Sequence, residues 1–234
     1  MSDKEILLYS AGADSFPAWH YLGQPQALYF DVGHRYRDHE YRAIQSLRQK
    51  WGIDLVVSRE LDLAAWEPGD GIIPLRNAYF AMLASHRANM IWCVGVKGDH
   101  TADKSPEAFA RMSEFITELA GREVRVDSPF WNLTKTEIVA WYLSQGLPVE
   151  DLLETFSCLN PGTSLLHCGQ CSACLRRWIS FTNNGISAAF ATNPWEWERV
   201  HTYYMAAMRD GTYPQHRAAE FFAALATVGV EIGG

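Results

Sequence analysis

The sequence predicts an α/β fold: a mostly parallel sheet with helices on both faces, then a cysteine-rich loop and a helical tail. Three observations predict it. Short apolar runs alternate with longer amphipathic segments through residues 1–150. A small-residue loop, Ser10-Ala11-Gly12-Ala13-Asp14-Ser15, separates the first apolar run from the first helix. Four of the five cysteines, Cys158, Cys168, Cys171 and Cys174, fall in one short window.

The elements follow in order. Glu5 to Tyr9 is a short buried strand, and a helix begins near Phe16, with Pro17 in a first turn that needs no N–H there. Gln26 to Asp31 is the next strand. His34 to Trp51 is a charged helix closed by Gly52, and Ile53 to Val57 is a third strand. Arg76 to Ala88 is a helix, and Met90 to Val96 a fourth strand. Ser105 to Ala120 is amphipathic, with Phe109, Met112, Phe115, Ile116 and Leu119 on one face. Glu123 to Val126 is a short strand. Thr134 to Glu137 reads as a capping box opening a helix from Ile138 to Gln145.

Composition narrows the function. The chain has 234 residues, 48% of them hydrophobic, which suits one large or two small domains. No apolar run is long enough to span a bilayer. The formal net charge is −7, which argues against a duplex-binding surface, since that needs clustered Lys and Arg. Met1 to Glu5 shows no secretory signal, so the chain reads as a cytoplasmic protein acting on a small molecule. The expected division is 1–150 for the α/β domain, 151–182 for the cysteine segment and 183–234 for the tail.

The cysteine spacing suits convergence of four thiolates on one tetrahedral ion, with Gly169 allowing a tight turn between ligands. Structural zinc is the leading reading. An iron–sulfur cluster and disulfides stand beside it. The fifth cysteine, Cys93, sits in an apolar run and reads as a small core residue.

In parallel sheets, ligands bind beyond the carboxyl ends of strands, near helix N-termini. The Ser10–Ser15 loop lies there. Its small residues let backbone N–H groups approach phosphate, Ser10 and Ser15 add hydroxyls, and Asp14 offers an oxygen to magnesium. It is neither a Walker loop nor a dinucleotide fingerprint. A plain turn is the competing reading.

The loop resembles the SGGxDS signature of PP-loop ATP pyrophosphatases, with Ser10, Gly12, Asp14 and Ser15 matching and Ala11 in place of a glycine. Pro74-Leu75-Arg76-Asn77 is similar to the PxRN motif of one branch, and Gly95-Val96 with Asp99 to its GV…D segment. Ser105 to Phe109 sits where that branch has a D-x-x-x-F-type stretch. Pro129 and Leu133 to Ile138 resemble P…LTKxEI. Ser157-Cys158 and Cys168 to Arg177 resemble WSC…CGxCxxCxxR. That branch is the 7-cyano-7-deazaguanine synthase (QueC) family, and the resemblance runs with gaps from Ile6 to Phe181.

The resemblance implies a Rossmann-like PP-loop fold and an ATP-dependent C–N ligase. Such an enzyme adenylates the carboxylate of 7-carboxy-7-deazaguanine, admits ammonia and dehydrates the amide to the nitrile, releasing AMP and pyrophosphate. ATP, magnesium and structural zinc are the implied cofactors. Residues Tyr9 to Ser15, Asp31, Arg76, Asn77 and Gly95 would hold nucleotide. Asp14, Ser15, Lys135 and Asp99 would serve the chemistry: Lys135 as the cation facing charge on the α-phosphate, Asp99 on magnesium or the guanine-like edge. Read alone, Lys135 is a first-turn surface lysine, Arg76 a partner for a carboxylate such as Asp70, Asp99 a turn residue and Asp31 a helix cap. His34, His39 and His100 read as surface histidines.

The chain departs from the pattern at several places. Ala11 puts a side chain where positive φ is expected. The stretch aligned with YPDCR reads His100-Thr101-Ala102-Asp103-Lys104. The segment between Asp14 and Pro74 is shorter than usual. An aromatic tail runs from Thr192 to Gly234, either covering the core or docking a protein partner. A homodimer is a further open expectation. These departures leave two alternatives: transfer of the activated acyl group to another acceptor such as a partner protein in a defence or DNA-modification setting, or a non-catalytic nucleotide-binding scaffold. A thiolating relative would need a free cysteine near the loop, and the clustered four are committed to metal.

Overall fold

The computed structural model of the chain describes residues 4–99, 101–162 and 165–230. Contacts divide the chain into two units, Met1–Thr134 with Glu154–Phe156, and Lys135–Leu153 with Ser157–Gly234.

The first unit is a five-stranded parallel sheet. Its strands are β1 (Glu5–Leu8), β2 (Gln26–Phe30), β3 (Leu55–Ser58), β4 (Met90–Trp92) and β5 (Arg125–Asp127), in the order β3-β2-β1-β4-β5. Helices α1 (Ser15–Tyr21), α2 (Arg37–Trp51), α3 (Arg76–Ser85) and α4 (Pro106–Ala120) connect them. The chain runs outward from β1 to β3 and then returns to β4 on the far side of β1. That reversal makes the carboxyl ends of β1 and β4 the switch point, where such sheets bind ligands. Side chains alternate along each strand. Ile6, Leu28, Ile91 and Val126 meet Ala81 and Ala84 of α3 and Phe109 and Ile116 of α4. The alternate residues Leu7, Ala27 and Tyr29 are also buried, as are Phe16, Ile44 and Leu47 of α1 and α2. Both faces of the sheet are therefore covered, as parallel sheets require.

Element ends differ from expectation for local reasons. β4 stops at Trp92, not Val96, because the Ser128 hydroxyl enters the ladder. It donates to Gly95 O at 2.6 Å and accepts from Gly95 N at 2.9 Å, and parallel pairing reappears only at Val96 and Phe130. α2 begins at Arg37 rather than His34, since His34 and Arg35 turn aside to Glu40 and Glu67. α3 ends at Ser85, not Ala88, where the Arg122 guanidinium takes the Ser85 carbonyl. α4 is set by Ser105, whose hydroxyl accepts from Ala108 N at 3.1 Å, by Pro106 in the first turn, and by Gly121 at φ 63°. Its expected apolar face is only partly inward. Phe109 and Ile116 are buried, but Phe115 is 52% and Leu119 71% exposed. The inward stripe instead continues through Ser113 and Thr117, whose hydroxyls accept from Val126 N and Val124 N, each at 2.9 Å.

The second unit contains α5 (Lys135–Ser144), most of α6 (Val149–Glu154), α7 (Ser172–Thr182), α8 (Met205–Arg209) and α9 (Gln215–Val228). α7 packs against α5 and α9. Leu175, Trp178 and Ile179 of α7 share a core with Val200, Met205, Phe221 and Leu225, bordered by Trp195, Trp197 and Tyr204. Much of the aromatic tail thus builds this unit's own interior, while Tyr203 and Phe222 stay exposed. Among the described residues, no helix is long and apolar enough to cross a membrane.

Candidate active site and metal centre

Three loops at the carboxyl edge of the sheet hold most of the expected site residues. After β1, Tyr9 N donates to Leu28 O at 2.9 Å, which keeps the chain in the sheet until the loop begins. Ala11 then takes φ 50°, the left-handed region that costs an L-residue about 1 kcal/mol or more. The neighbourhood holds it there, since Ala11 is buried and its carbonyl accepts from Phe156 N at 3.0 Å. Ser15, at the start of α1, is the hub of the loop. Its Oγ accepts from Ser10 N at 3.3 Å and Gly12 N at 3.1 Å, and lies 3.3 Å from Ser10 Oγ. Two loop amides and a hydroxyl thus converge on one oxygen. Asp14 is the residue before α1, and its side chain does not cap that helix.

Asp31 follows β2. It accepts from Gly33 N and from Arg59 Nε, both at 3.3 Å. Beyond it a polar cluster gathers from four segments. His34 is buried and meets Glu40 through Nε2 at 3.0 Å. Tyr36 is buried, and its hydroxyl accepts from Arg76 Nη1 at 3.0 Å. Burial pushes the Tyr36 phenol up, although Arg76 opposes it, so the hydroxyl stays neutral. Arg76 does not pair with Asp70, which caps Ile72 N. Asn77 N donates to Asp103 at 3.0 Å, and the Cys93 sulfur lies 3.7 Å from Asn77 Oδ1. Asp99 pairs with Lys104 at 3.3 Å. Leu75, just before Arg76, holds φ 59° with its side chain exposed.

The structure therefore gathers Arg76, Asn77 and Asp99 into one cluster, together with Tyr36, Asp103 and Lys104, which sequence reasoning did not single out as site residues. His34 is buried rather than at the surface, and His100 lies outside the described residues. Gly95 has its own requirement: a Cβ there would lie 2.2 Å from the Trp131 ring. Lys135 opens α5 in the second unit.

The candidate metal centre lies in the second unit. The sulfurs of Cys158, Cys168, Cys171 and Cys174 all lie within 4.8 Å of one another, and Cys168 Sγ is 3.7 Å from Cys174 Sγ. A zinc tetrahedron with bonds of about 2.3 Å has edges near 3.8 Å. A multi-iron cluster would spread its thiolates farther, each on its own iron, and a disulfide would bring two sulfurs to about 2.05 Å. None of the five cysteines is in a disulfide. Backbone amides aim at the sulfurs: Cys168 N at Cys158, Gln170 N at Cys168 and Cys174 N at Cys171, at 3.4, 3.2 and 3.4 Å. Contact with Cys168 pushes the Cys158 thiol up and contact with Cys158 pushes Cys174 up, while contact with Cys158 pulls Cys168 and Cys171 down. Four thiols this crowded cannot all ionise unaided, and a divalent cation held among them would supply the missing charge.

The scaffold around the sulfurs is specific. Cys171 also caps α7. Gly169 sits at φ 75°, and a Cβ there would lie 1.7 Å from Thr192 O. His167, which the spacing argument passed over, accepts from Ser157 N at 3.1 Å through Nε2, while its carbonyl accepts from Ala191 N at 2.8 Å. Arg177 is buried. It donates to the Leu152 and Leu153 carbonyls at 2.9 and 3.2 Å and stacks over Phe181. It thereby satisfies the carboxyl end of α6, where a cation is favoured.

The family described as queuosine biosynthesis protein QueC matches residues 60–185, more than half of the chain. The chain belongs to the QueC family. The QueC match spans Arg76, Asn77, Gly95, Asp99, Lys135 and all four clustered cysteines. Curated relatives extend the similarity beyond it. A 7-cyano-7-deazaguanine synthase of Geobacter metallireducens is 30% identical, covering 82% of this chain and 95% of its own. One of Thermoplasma acidophilum is 28% identical, covering 86% and 94%. One of Psychromonas ingrahamii is 27% identical, covering 82% and 98%.

Proposed function

We propose that the protein is a 7-cyano-7-deazaguanine synthase working as an ATP-dependent C–N ligase. The relatives that carry this name match more than four-fifths of the chain, and this observation carries the reading. The Ser15-centred loop supports it, because amides that converge on one oxygen suit a phosphate oxygen, at the sheet's switch point. ATP would bind there with magnesium, and Asp14 would offer the ion an oxygen. The substrate carboxylate attacks the α-phosphate, the bond to pyrophosphate breaks, and an acyl adenylate forms. Ammonia displaces AMP to give the amide. A second ATP activates the amide oxygen, and loss of AMP and a proton leaves the nitrile. By family resemblance, Lys135 would be the cation that offsets charge developing on phosphorus. Four thiolates leave a metal no open position, so the zinc is structural.

The test is product analysis after incubation with ATP, magnesium, ammonium and 7-carboxy-7-deazaguanine. The nitrile, AMP and pyrophosphate are the expected products, and Asp14→Ala abolishes them while the protein keeps its fold. Release of ADP and orthophosphate would contradict the chemistry. Amide or adenylate accumulating without nitrile, or an adduct on a protein, would place a different acceptor at the end of the sequence.

A further inference from the structure

The charges around Arg76 are matched one by one, and Arg76 is left over. Glu40 meets His34 at 3.0 Å. Glu67 accepts from Arg35 Nε at 2.8 Å and Arg35 N at 2.8 Å. Asp99 pairs with Lys104 at 3.3 Å, and Asp103 caps Asn77 N at 3.0 Å. Glu40 lies near enough to be felt by Arg76, but its close contact is His34. Among the described residues, Arg76 makes one hydrogen bond, to the Tyr36 hydroxyl at 3.0 Å, and no ion pair. Guanidinium carries five donors and a permanent charge. A half-buried charge of this kind costs free energy unless a counter-ion completes it. Leu75 supports the same conclusion, since a left-handed leucine with its side chain 58% exposed fixes the chain immediately before Arg76 at a cost of about 1–3 kcal/mol.

We propose that Arg76 is the receptor for a ligand oxyanion and that Tyr36 is the residue that positions it. This rests on the synthase reading and names the residues that grip its acid substrate. The planar guanidinium fork matches a carboxylate in two parallel hydrogen bonds, which a lysine cannot reproduce. Tyr36 suits the positioning role because it is neutral. It fixes the guanidinium through Nη1 without cancelling its charge, and leaves Nε and Nη2 for the ligand. Accepting from Arg76 also leaves the phenol's own proton available to donate. The ring is held in turn against His34, with centroids 4.2 Å apart. A substrate carboxylate and a nucleotide phosphate share this chemistry.

Calorimetric titrations of the zinc-loaded protein separate the sources. Three ligands are used singly: 7-carboxy-7-deazaguanine, its decarboxylated parent 7-deazaguanine, and ATP with magnesium. Arg76→Gln should weaken binding of the acid at least about tenfold and leave 7-deazaguanine unchanged, with Arg76→Lys recovering only part of the loss. Tyr36→Phe should lower the acid's affinity about three- to tenfold with the same selectivity, a pattern that general loosening would not give. A loss confined to ATP would support the same receptor with phosphate as its anion. Unchanged affinity for both acid and ATP in a folded Arg76→Gln protein would overturn the assignment. Equal weakening of acid and 7-deazaguanine in Tyr36→Phe would overturn the positioning role. Binding needs no turnover, so a wild type that binds the acid but makes no pyrophosphate fails the synthase reading alone.

Discussion

At the scale of the residue, Cys93 has a measurable signature. It is buried, and burial pushes its thiol up to about 11 against the opposing fields of Lys104 and Arg76. The folded chain keeps the proton to higher pH than the unfolded chain, whose thiol ionises from about 9. Stability contributed by the neutral thiol is therefore intact below about pH 9 and is lost as pH rises toward 11. Urea unfolding across that range should show wild type losing roughly 2–3 kcal/mol more than Cys93→Ala. Parallel pH curves for the two proteins would refute this. Residue-level features were unevenly legible. Ala11 announced its left-handed backbone by standing where a loop glycine was expected. Arg76 stood out from its motif, but its partner did not: Tyr36 lies forty positions away in a charged helix start, and only the fold brings the two together.

At the scale of the element, α4 shows where periodicity misleads. The apolar count put Phe115 and Leu119 on the packed face, yet both are exposed. β5 is an edge strand, and the outward amides of Val126 within it and of Val124 just before it need acceptors. Ser113 and Thr117 provide them, so the helix turns a polar stripe toward the sheet. Leu119→Glu should change stability by less than about 0.5 kcal/mol. Ser113→Ala should cost about 1–3 kcal/mol, since it strands a partly buried amide. Denaturant midpoints distinguish them, and a larger loss for Leu119→Glu would refute the assignment. Strand and helix identities were readable from alternation and caps. The end of β4 was not, because the Ser128 hydroxyl that interrupts it comes from a distant loop.

At the scale of the whole molecule, the second unit lends itself to a metal test. Four sulfurs on one short loop saturate a tetrahedral ion, so purified protein should carry about one zinc per chain. Cys171→Ser should lose the metal and loosen the start of α7, because the same sulfur is ligand and helix cap. Metal analysis and the near-ultraviolet circular dichroism of the tryptophans around α7 report both effects. A brown, iron-bearing protein would overturn the zinc assignment. The convergence of the four sulfurs was legible because the spacing groups those cysteines. The supports at His167, Thr192 and Arg177 were not, because their partners are backbone atoms whose position no side-chain pattern records. In the first unit, the strand order bears on synthesis. β1 emerges first, yet its pairing with β4 joins Glu5 to Met90, so a nascent chain spends most of that interval with its central strand open on one side. The switch point beside the Ser10–Ser15 loop forms only when β4 docks on β1. Closure of the sheet is therefore a late event for the growing chain, and a fragment truncated before Met90 keeps one edge of β1 unpaired.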